Sequence, residues 1–405
     1  MAERLNIVVG MTGGIAAYKA VGVIRGFVLA GHDVQVVATE AALRFVGKPT
    51  LEAISRNVVH TDLYEGVAEV RHVAIGQAAD LIVIAPATAN TIAKLAAGLA
   101  DDLLGNTVLA SRAPVVIAPA MHSEMWQNPA TVANVALLRS RGVTVVGPGS
   151  GQLTGSDSGQ GRLVEPEDIV AAALATLVPK DLAGRRILVT AGGTREALDP
   201  VRFLGNRSSG KQGVALAVAA AARGAIVTLI GANLEVAPPP PVGGNPITVQ
   251  HVGSTLELAG AVAAAAPHAE VIVMAAAVSD YRPETVAESK IKKETAGDRL
   301  TLELVKNPDI LAALAESRPD GQVIVGFAAE TEADPDALLA LGRAKIARKG
   351  SDLLVINRVG WAEGFGTDAN TVVVVDSLGD IVMEASGSKQ SVADRILDVV
   401  VRHLS

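Results

Sequence analysis

Short Val- and Ile-rich runs alternate with longer Ala- and Leu-rich stretches along almost the whole chain, and near its middle the alternation starts again. A short continuous apolar run suits a strand buried on both faces, and strand–helix–strand repetition produces a parallel sheet covered by helices on both sides. In the first series, strands are predicted over 5–9, 34–38, 81–85, 115–118 and 143–146, with a helix over 14–30 closed by Gly31. In the second, strands are predicted over 186–190, 226–230, 271–274, 323–327 and 353–356, with a helix over 211–223 ending at Gly224. The runs 372–376 and 381–384, joined across Ser377-Leu378-Gly379, predict a hairpin. The expected fold class is α/β, with two Rossmann-like doubly wound parallel-sheet domains. Val178-Pro179-Lys180-Asp181-Leu182-Ala183-Gly184 reads as the linker, giving domains over 1–185 and 186–405. A single sheet spanning all 405 residues would be unusual. The run Ala237-Pro238-Pro239-Pro240-Pro241 reads as a rigid surface connection between two strands.

Composition narrows the function classes. Hydrophobic residues make up 49% of the chain, too many for a disordered protein, and no apolar run is long enough for a membrane span. The chain has no Cys, which excludes disulfides, thiolate metal sites and a cysteine nucleophile. A net charge of −7 argues against a nucleic-acid partner. The N-terminal residues show no targeting or lipidation pattern, so the expectation is a cytoplasmic enzyme with no membrane or nucleic-acid partner.

The first predicted strand runs into Gly10-Met11-Thr12-Gly13-Gly14-Ile15-Ala16-Ala17-Tyr18-Lys19. Small residues there let the backbone approach a ligand, and the helix that follows offers N–H groups to a phosphate. The Gly spacing is not that of the dinucleotide fingerprint, and on this motif alone a tight strand-to-helix turn is an equally good reading. Similar loops follow the next strands: Ala38-Thr39-Glu40-Ala41-Ala42 and Ala85-Pro86-Ala87-Thr88-Ala89-Asn90-Thr91. Open α/β sheets bind ligands at their carboxyl strand ends, so three such loops suit a mononucleotide-type cofactor. His72, in Val70-Arg71-His72-Val73, is one of seven His, for any of which a solvated helix-end role is the default. Ala118-Pro119-Ala120-Met121-His122-Ser123-Glu124-Met125-Trp126 follows the fourth strand and reads as a pocket wall.

In order and over roughly the first 175 residues, these segments resemble the homo-oligomeric flavin-containing cysteine decarboxylases, which have a flavodoxin-like fold. The resemblance implies FMN against Thr12, Gly13, Gly14, Ile15, Ala16, Thr39, Pro86, Ala87, Thr88 and Asn90, with His72 as catalytic base. It also implies the chemistry: the flavin accepts electrons as the thiol-bearing carbon is oxidised to a thioaldehyde, CO₂ then leaves, and the resulting enethiolate is reduced. Two departures stand out. The family's P-x-M-N-x-x-M-W signature has Asn where this chain has His122, after Met121, although an imidazole N–H can also donate to the substrate carboxylate. The family's flap places a proton-donating Cys where this chain has Gly155, followed by Ser156. That substitution keeps open an oxidative decarboxylase that releases an enethiol. A non-catalytic regulatory flavoprotein subunit is the other alternative.

In the second half, Thr190-Ala191-Gly192-Gly193-Thr194-Arg195-Glu196 follows the new first strand, and Asp199-Pro200-Val201-Arg202 comes just after. Leu204-Gly205-Asn206-Arg207-Ser208-Ser209-Gly210-Lys211 then leads into a helix that Ser208 or Ser209 can cap. Arg202, Asn206 and Arg207 beside that helix start favour an anion site. Ala275-Ala276-Ala277-Val278-Ser279-Asp280 puts Asp280 at a strand end, where it can hold Mg²⁺ or a sugar hydroxyl. Lys290-Ile291-Lys292-Lys293 fits a solvated face, and it also has what triphosphate neutralisation requires.

Nearly all of this half resembles phosphopantothenate–cysteine ligase, and the fusion resembles the bifunctional coenzyme A biosynthesis enzymes. The resemblance implies ligation of cysteine to 4′-phosphopantothenate through an acyl-cytidylate made from CTP. By the same resemblance Asn206 helps bind that intermediate, Lys290 supports its onward reaction, and Arg202 and Arg207 meet substrate. CTP then meets Ala275, Ala276, Ala277, Asp280, Lys290, Pro308, Asp309, Ile310, Leu311, Phe327, Lys345 and Lys349, with Asp280 as the Mg²⁺ ligand. The family's assembly implies a homo-oligomer, with trimeric decarboxylase units, dimeric ligase units and in some members a dodecamer.

Overall fold

Runs of Val and Ile that have no polar face must be covered on both sides, and the chain does this twice. The computed structural model describes residues 4–63, 70–152, 157–237, 244–292, 299–360 and 368–404; the Pro-rich run from 238 onward, Gly155, Ser156 and Lys293 lie outside them. Two compact units divide between Val178 and Pro179. Residues 179–185 are built into the second unit. Leu182 is fully buried in its core, and Asp181 accepts from the Arg223 guanidinium at 2.8 Å.

In the first unit β1 (Asn6–Met11), β2 (Asp33–Ala38), β3 (Leu81–Ala87), β4 (Val115–Pro119) and β5 (Thr144–Val145) form a parallel sheet in the order β2-β1-β3-β4-β5. Alternate residues of β1 face opposite layers: Ile7, Val9 and Met11 pack under helices Ala17–Leu29 and Pro166–Ala175, while Val8 joins the layer of Ala89–Ala97 and Pro129–Ser140. Full burial of each such Val or Ile contributes about 1.5–3 kcal/mol, so this order is strongly fixed. After it, β6 (Gly149–Gln152) and β7 (Ser158–Arg162) form an antiparallel hairpin.

The second unit is built on β8 (Arg186–Gly192), followed by the small hairpin of β9 (Arg195–Ala197) and β10 (Phe203–Gly205). Then come β11 (Ile226–Ala232), β12 (Ile247–Val252) and β13 (Val271–Met274), and an antiparallel pair, β14 (Tyr281–Pro283) with β15 (Leu304–Lys306). β16 (Val323–Glu330), β17 (Leu353–Arg358), β18 (Ala369–Asp376) and β19 (Ile381–Ser388) complete the main sheet, ordered β12-β11-β8-β13-β16-β17-β18-β19. The sheet is mixed: it runs parallel as far as β17, and the expected hairpin β18–β19 is added antiparallel. Helices Lys211–Ala222 and Lys389–Leu404 cover one face, and Thr255–Ala265 and Ile310–Ser317 the other. Among the described residues no helix is long and apolar enough to cross a membrane.

Candidate active sites

In the first sheet the chain leaves β1 for β2 on one side and returns to β3 on the other. An open α/β sheet leaves a crevice at such a reversal. The loops there are stitched together. Buried Thr12 donates through Oγ1 to the Pro86 carbonyl at 2.6 Å and accepts from the Thr88 N–H at 3.2 Å. Gly13 lies so close to the next loop that a Cβ would stand 2.4 Å from the Ala41 Cβ. Thr39 and Thr88 cap the helices Glu40–Leu43 and Ala89–Ala97 through their hydroxyls. Helix Ala17–Leu29, which starts beside Gly14, Ile15 and Ala16, has no side-chain cap, and Lys19 turns instead to Glu165 at 2.8 Å. Ala17 N–H donates to the Gly14 carbonyl at 2.9 Å and Lys19 N–H to the Ala16 carbonyl at 3.0 Å, so an anion here would meet the positive end of the helix rather than a full set of its N–H groups.

Two further predicted residues join this rim. Ala120 N–H donates to the Ala87 carbonyl at 3.2 Å, and Met121 N–H donates to Gly161 in β7 at 3.0 Å. His122, exposed, is the N-cap residue of the helix Ser123–Gln127, and Ser123 Oγ donates to the Gln160 carbonyl at 2.8 Å. The His122 loop is thus docked on the β6–β7 hairpin. Sequence periodicity could not show this hairpin, because Gly149-Ser150-Gly151-Gln152 contains no apolar residue. Asn90 is exposed on the first turn of its helix. His72 is half-buried on the first turn of helix Arg71–Ala78 after Val70, whose φ is 43°.

The second sheet reverses between β8 and β13, and there the Thr-Ala-Gly-Gly-Thr-Arg-Glu motif is a scaffold. Thr194 Oγ1 accepts from the Ser279 N–H at 3.0 Å and from the Thr255 hydroxyl at 3.0 Å; the same hydroxyl lies 2.7 Å from the buried Glu196 carboxylate. The helix that follows is not capped by Ser208 or Ser209 as expected. Its N-cap is Gly210, at φ 84°, because the turn needs a left-handed residue, and no side chain closes the helix end. That leaves the end open for an anion.

Around this end lies a cleft of about 1040 Å³. The structure brings Asn206, Arg207, Ala275, Ala276, Ala277, Asp280, Pro308, Asp309, Ile310, Leu311, Phe327, Lys345 and Lys349 together along its wall. Arg202 and Lys290 are not among the lining residues. The expected grouping of Arg202 with Asn206 and Arg207 is therefore broken. Arg202 is engaged by Asp199, its Nε donating to Oδ2 at 2.9 Å, and by the Ile291 carbonyl at 2.5 Å. Further lining residues are Lys211, at the end of the Leu204–Lys211 motif, and, outside every motif, Asn357, Asn370 and Lys389. The last three come from β17, β18 and the final helix, as single polar residues in otherwise ordinary elements. A Lys at the unfavourable first turn of an apolar-faced helix was the one available signal.

Charge in the cleft is pre-organised. Lys345 pairs with Glu330 at 3.0 Å and Lys349 with Asp309, which also caps the helix Ile310–Ser317. Burial would raise the Asp309 pKa, but the Lys349 ammonium, the Ala312 N–H and the Arg348 charge outweigh it and hold the carboxyl below its usual value. Burial, followed by the nearby Lys211 charge, lowers the pKa of Lys389. Asp280 is exposed, with its carbonyl accepting from the Asn307 N–H at 2.8 Å.

Residues 1–178 match the flavoprotein family, and residues 182–404 match the DNA/pantothenate metabolism flavoprotein C-terminal domain. The chain is 53% identical to the coenzyme A biosynthesis bifunctional protein CoaBC of Mycolicibacterium smegmatis, over 100% of this chain and 99% of that protein. It is 52% identical to the protein of that name from Mycobacterium tuberculosis (strain H37Rv), over 99% and 97%. A crystal structure of the C-terminal domain of a coenzyme A biosynthesis bifunctional protein CoaBC is 33% identical, covering 56% of this chain and 98% of that one with a TM-score of 0.45. A flavoprotein domain stands in front of a pantothenate-metabolism domain, and the likeness to such fusions runs end to end: the chain belongs to the family of bifunctional coenzyme A biosynthesis proteins.

Proposed function

We propose that the second unit joins cysteine to 4′-phosphopantothenate at the expense of CTP, and that the first unit decarboxylates the product with the help of FMN. The observation that supports this most is the single cleft of about 1040 Å³ in which an uncapped helix end, Asp280, Lys345 and Lys349 converge. In the ligase step the substrate carboxylate attacks the α-phosphorus of CTP and expels pyrophosphate; the cysteine amine then displaces CMP from the acyl carbon. The N–H groups at the start of Lys211–Ala222 suit the phosphates, and Lys345 and Lys349 exchange their carboxylate partners for phosphate oxygens as charge builds. Asn206, on the cleft wall, orients the acyl-cytidylate. Mg²⁺ commonly binds through one or two carboxylates plus substrate phosphates, so Asp280 fits as its protein ligand, and the ion would disperse phosphate charge. Lys290 then assists the aminolysis. In a Lys290→Gln enzyme, the initial release of pyrophosphate from CTP should persist while amide formation falls about a hundredfold. Wild-type amide formation, or equal use of ATP by the parent enzyme, would count against this reading.

In the first unit the uncapped end of Ala17–Leu29 and the small residues Gly14, Ala16 and Ala87 fit the phosphate and edge of FMN. When bound, FMN supplies an electron sink beside the thiol-bearing carbon. His72 acts as the base that takes the substrate proton, and His122 donates an N–H to the carboxylate that departs as CO₂. Because Asn can also donate there, His122→Asn should keep decarboxylation within about threefold of the parent rate. A loss of a hundredfold would assign His122 a charge-dependent role. Gly155, where the resembled family carries a Cys, motivates one variation, release of an oxidised enethiol, against which the attached ligase argues. Product mass distinguishes it, since the enethiol lacks two hydrogens that the thiol carries.

A further inference from the structure

We propose that Asp199 is a positioning residue for the ligase step, and that its buried carboxylate latches the segment carrying Lys290 to the turn between β9 and β10. The inference rests on the role given to Lys290 above and extends it. Asp199 lies in the turn between β9 and β10, and its side chain is fully buried. One carboxylate oxygen accepts from the N–H groups of Val201 and Arg202, both at 2.8 Å, and these bonds suffice to shape the turn. The other oxygen accepts from Arg202 Nε at 2.9 Å and from the N–H of Ile291 at 3.1 Å. That last donor belongs to a remote segment and immediately follows Lys290.

Two more bonds fix the same segment. Ala287 N–H donates to the Leu198 carbonyl at 3.0 Å, and the Arg202 guanidinium donates to the Ile291 carbonyl at 2.5 Å. The backbone is thus held on both sides of Lys290, whose own side chain is exposed. A turn-shaping Asp needs no partner outside its turn, whereas holding another segment calls for a buried acceptor with spare capacity. The charge is secure as well. Burial would raise this pKa, but the donated N–H groups of Val201, Ile291 and Arg202, together with the guanidinium, outweigh it and hold the carboxyl at about 2. A flexible ammonium on a fixed backbone has fewer arrangements to lose when it meets the acyl-cytidylate.

A double-mutant cycle in the full-length chain tests the latch. Asp199→Asn alone should lower kcat for amide formation about tenfold while leaving the KM for CTP within about twofold, whereas on the Lys290→Gln background it should cost less than about twofold more. Ile291→Pro removes the donor from the other side, and its loss should not add to that of Asp199→Asn. A tenfold cost of Asp199→Asn in both backgrounds, or full additivity with Ile291→Pro, would mean that Asp199 acts on the fold and not through Lys290. Wild-type rates for Asp199→Asn would also overturn the latch. A Lys290→Gln enzyme of wild-type rate would instead remove the underlying reading.

Discussion

A His72→Asn enzyme is expected to load FMN normally and to release CO₂ about a thousandfold more slowly than the parent, the usual scale of a lost general base. His72 lies on the first turn of Arg71–Ala78 and is only half-buried, so the exchange opens no large cavity. The helix itself is seated at Gly76, where a Cβ would stand 2.6 Å from the Thr107 carbonyl. Val70, at φ 43°, holds the chain in a conformation costly for a β-branched residue, and such strain persists only where its surroundings enforce it. Asn can replace one hydrogen-bonding nitrogen of the ring but cannot take up a proton near neutral pH. The loss should therefore fall on the chemical step, with the flavin absorption spectrum and the ligase rate unchanged. Undiminished CO₂ release would remove His72 from the mechanism. A colourless protein would show instead that the helix start helps shape the flavin site.

The strands of both sheets could be read from the sequence because strands buried on both faces contain nothing but apolar residues, as in Leu81-Ile82-Val83-Ile84-Ala85. β12 was not legible for the opposite reason. It is an edge strand whose six residues are nowhere fully buried, and Thr248, Gln250 and His251 interrupt any apolar signal. The cleft residues found by motif, such as Asn206 and the 275–277 run, follow directly on strand ends, where topology alone brings them together. Arg202 does not line the cleft because Asp199 in its own turn engages it, and sequence cannot tell which acid an Arg will meet. Ser208 and Ser209 looked like caps because their chemistry suits one. What decided the matter was backbone geometry, since the turn into the helix requires a left-handed residue and Gly210 supplies it.

The same backbone constraint gives the largest stability effect, at Gly192. This residue ends β8 at φ 87°, paired with Ala232 at the end of β11, and a Cβ there would stand 1.9 Å from the Ala232 carbonyl oxygen. That oxygen also accepts from the Gly193 N–H at 2.9 Å, and the Gly192 carbonyl accepts from Ala277 at 2.8 Å. Gly192→Ala must adopt a left-handed conformation costing about 1–2 kcal/mol, and it must displace backbone rather than a yielding side chain, costing about 1–3 kcal/mol more. With roughly 1 kcal/mol for the strained hydrogen bond, the second unit should lose about 3–6 kcal/mol. For a domain of this size that lowers its melting point by roughly 10 °C. Gly321→Ala in the same unit is the comparison. Its φ is 80° but nothing lies within 4 Å of the new Cβ, so it bears the conformational cost alone. Thermal inactivation of ligase activity, referenced to flavin release from the first unit, should place Gly192→Ala well below Gly321→Ala and the latter only slightly below the parent. Equal shifts for the two variants would mean that the β8–β11 end yields freely. The crevice where the cleft begins could then not owe its shape to that close approach.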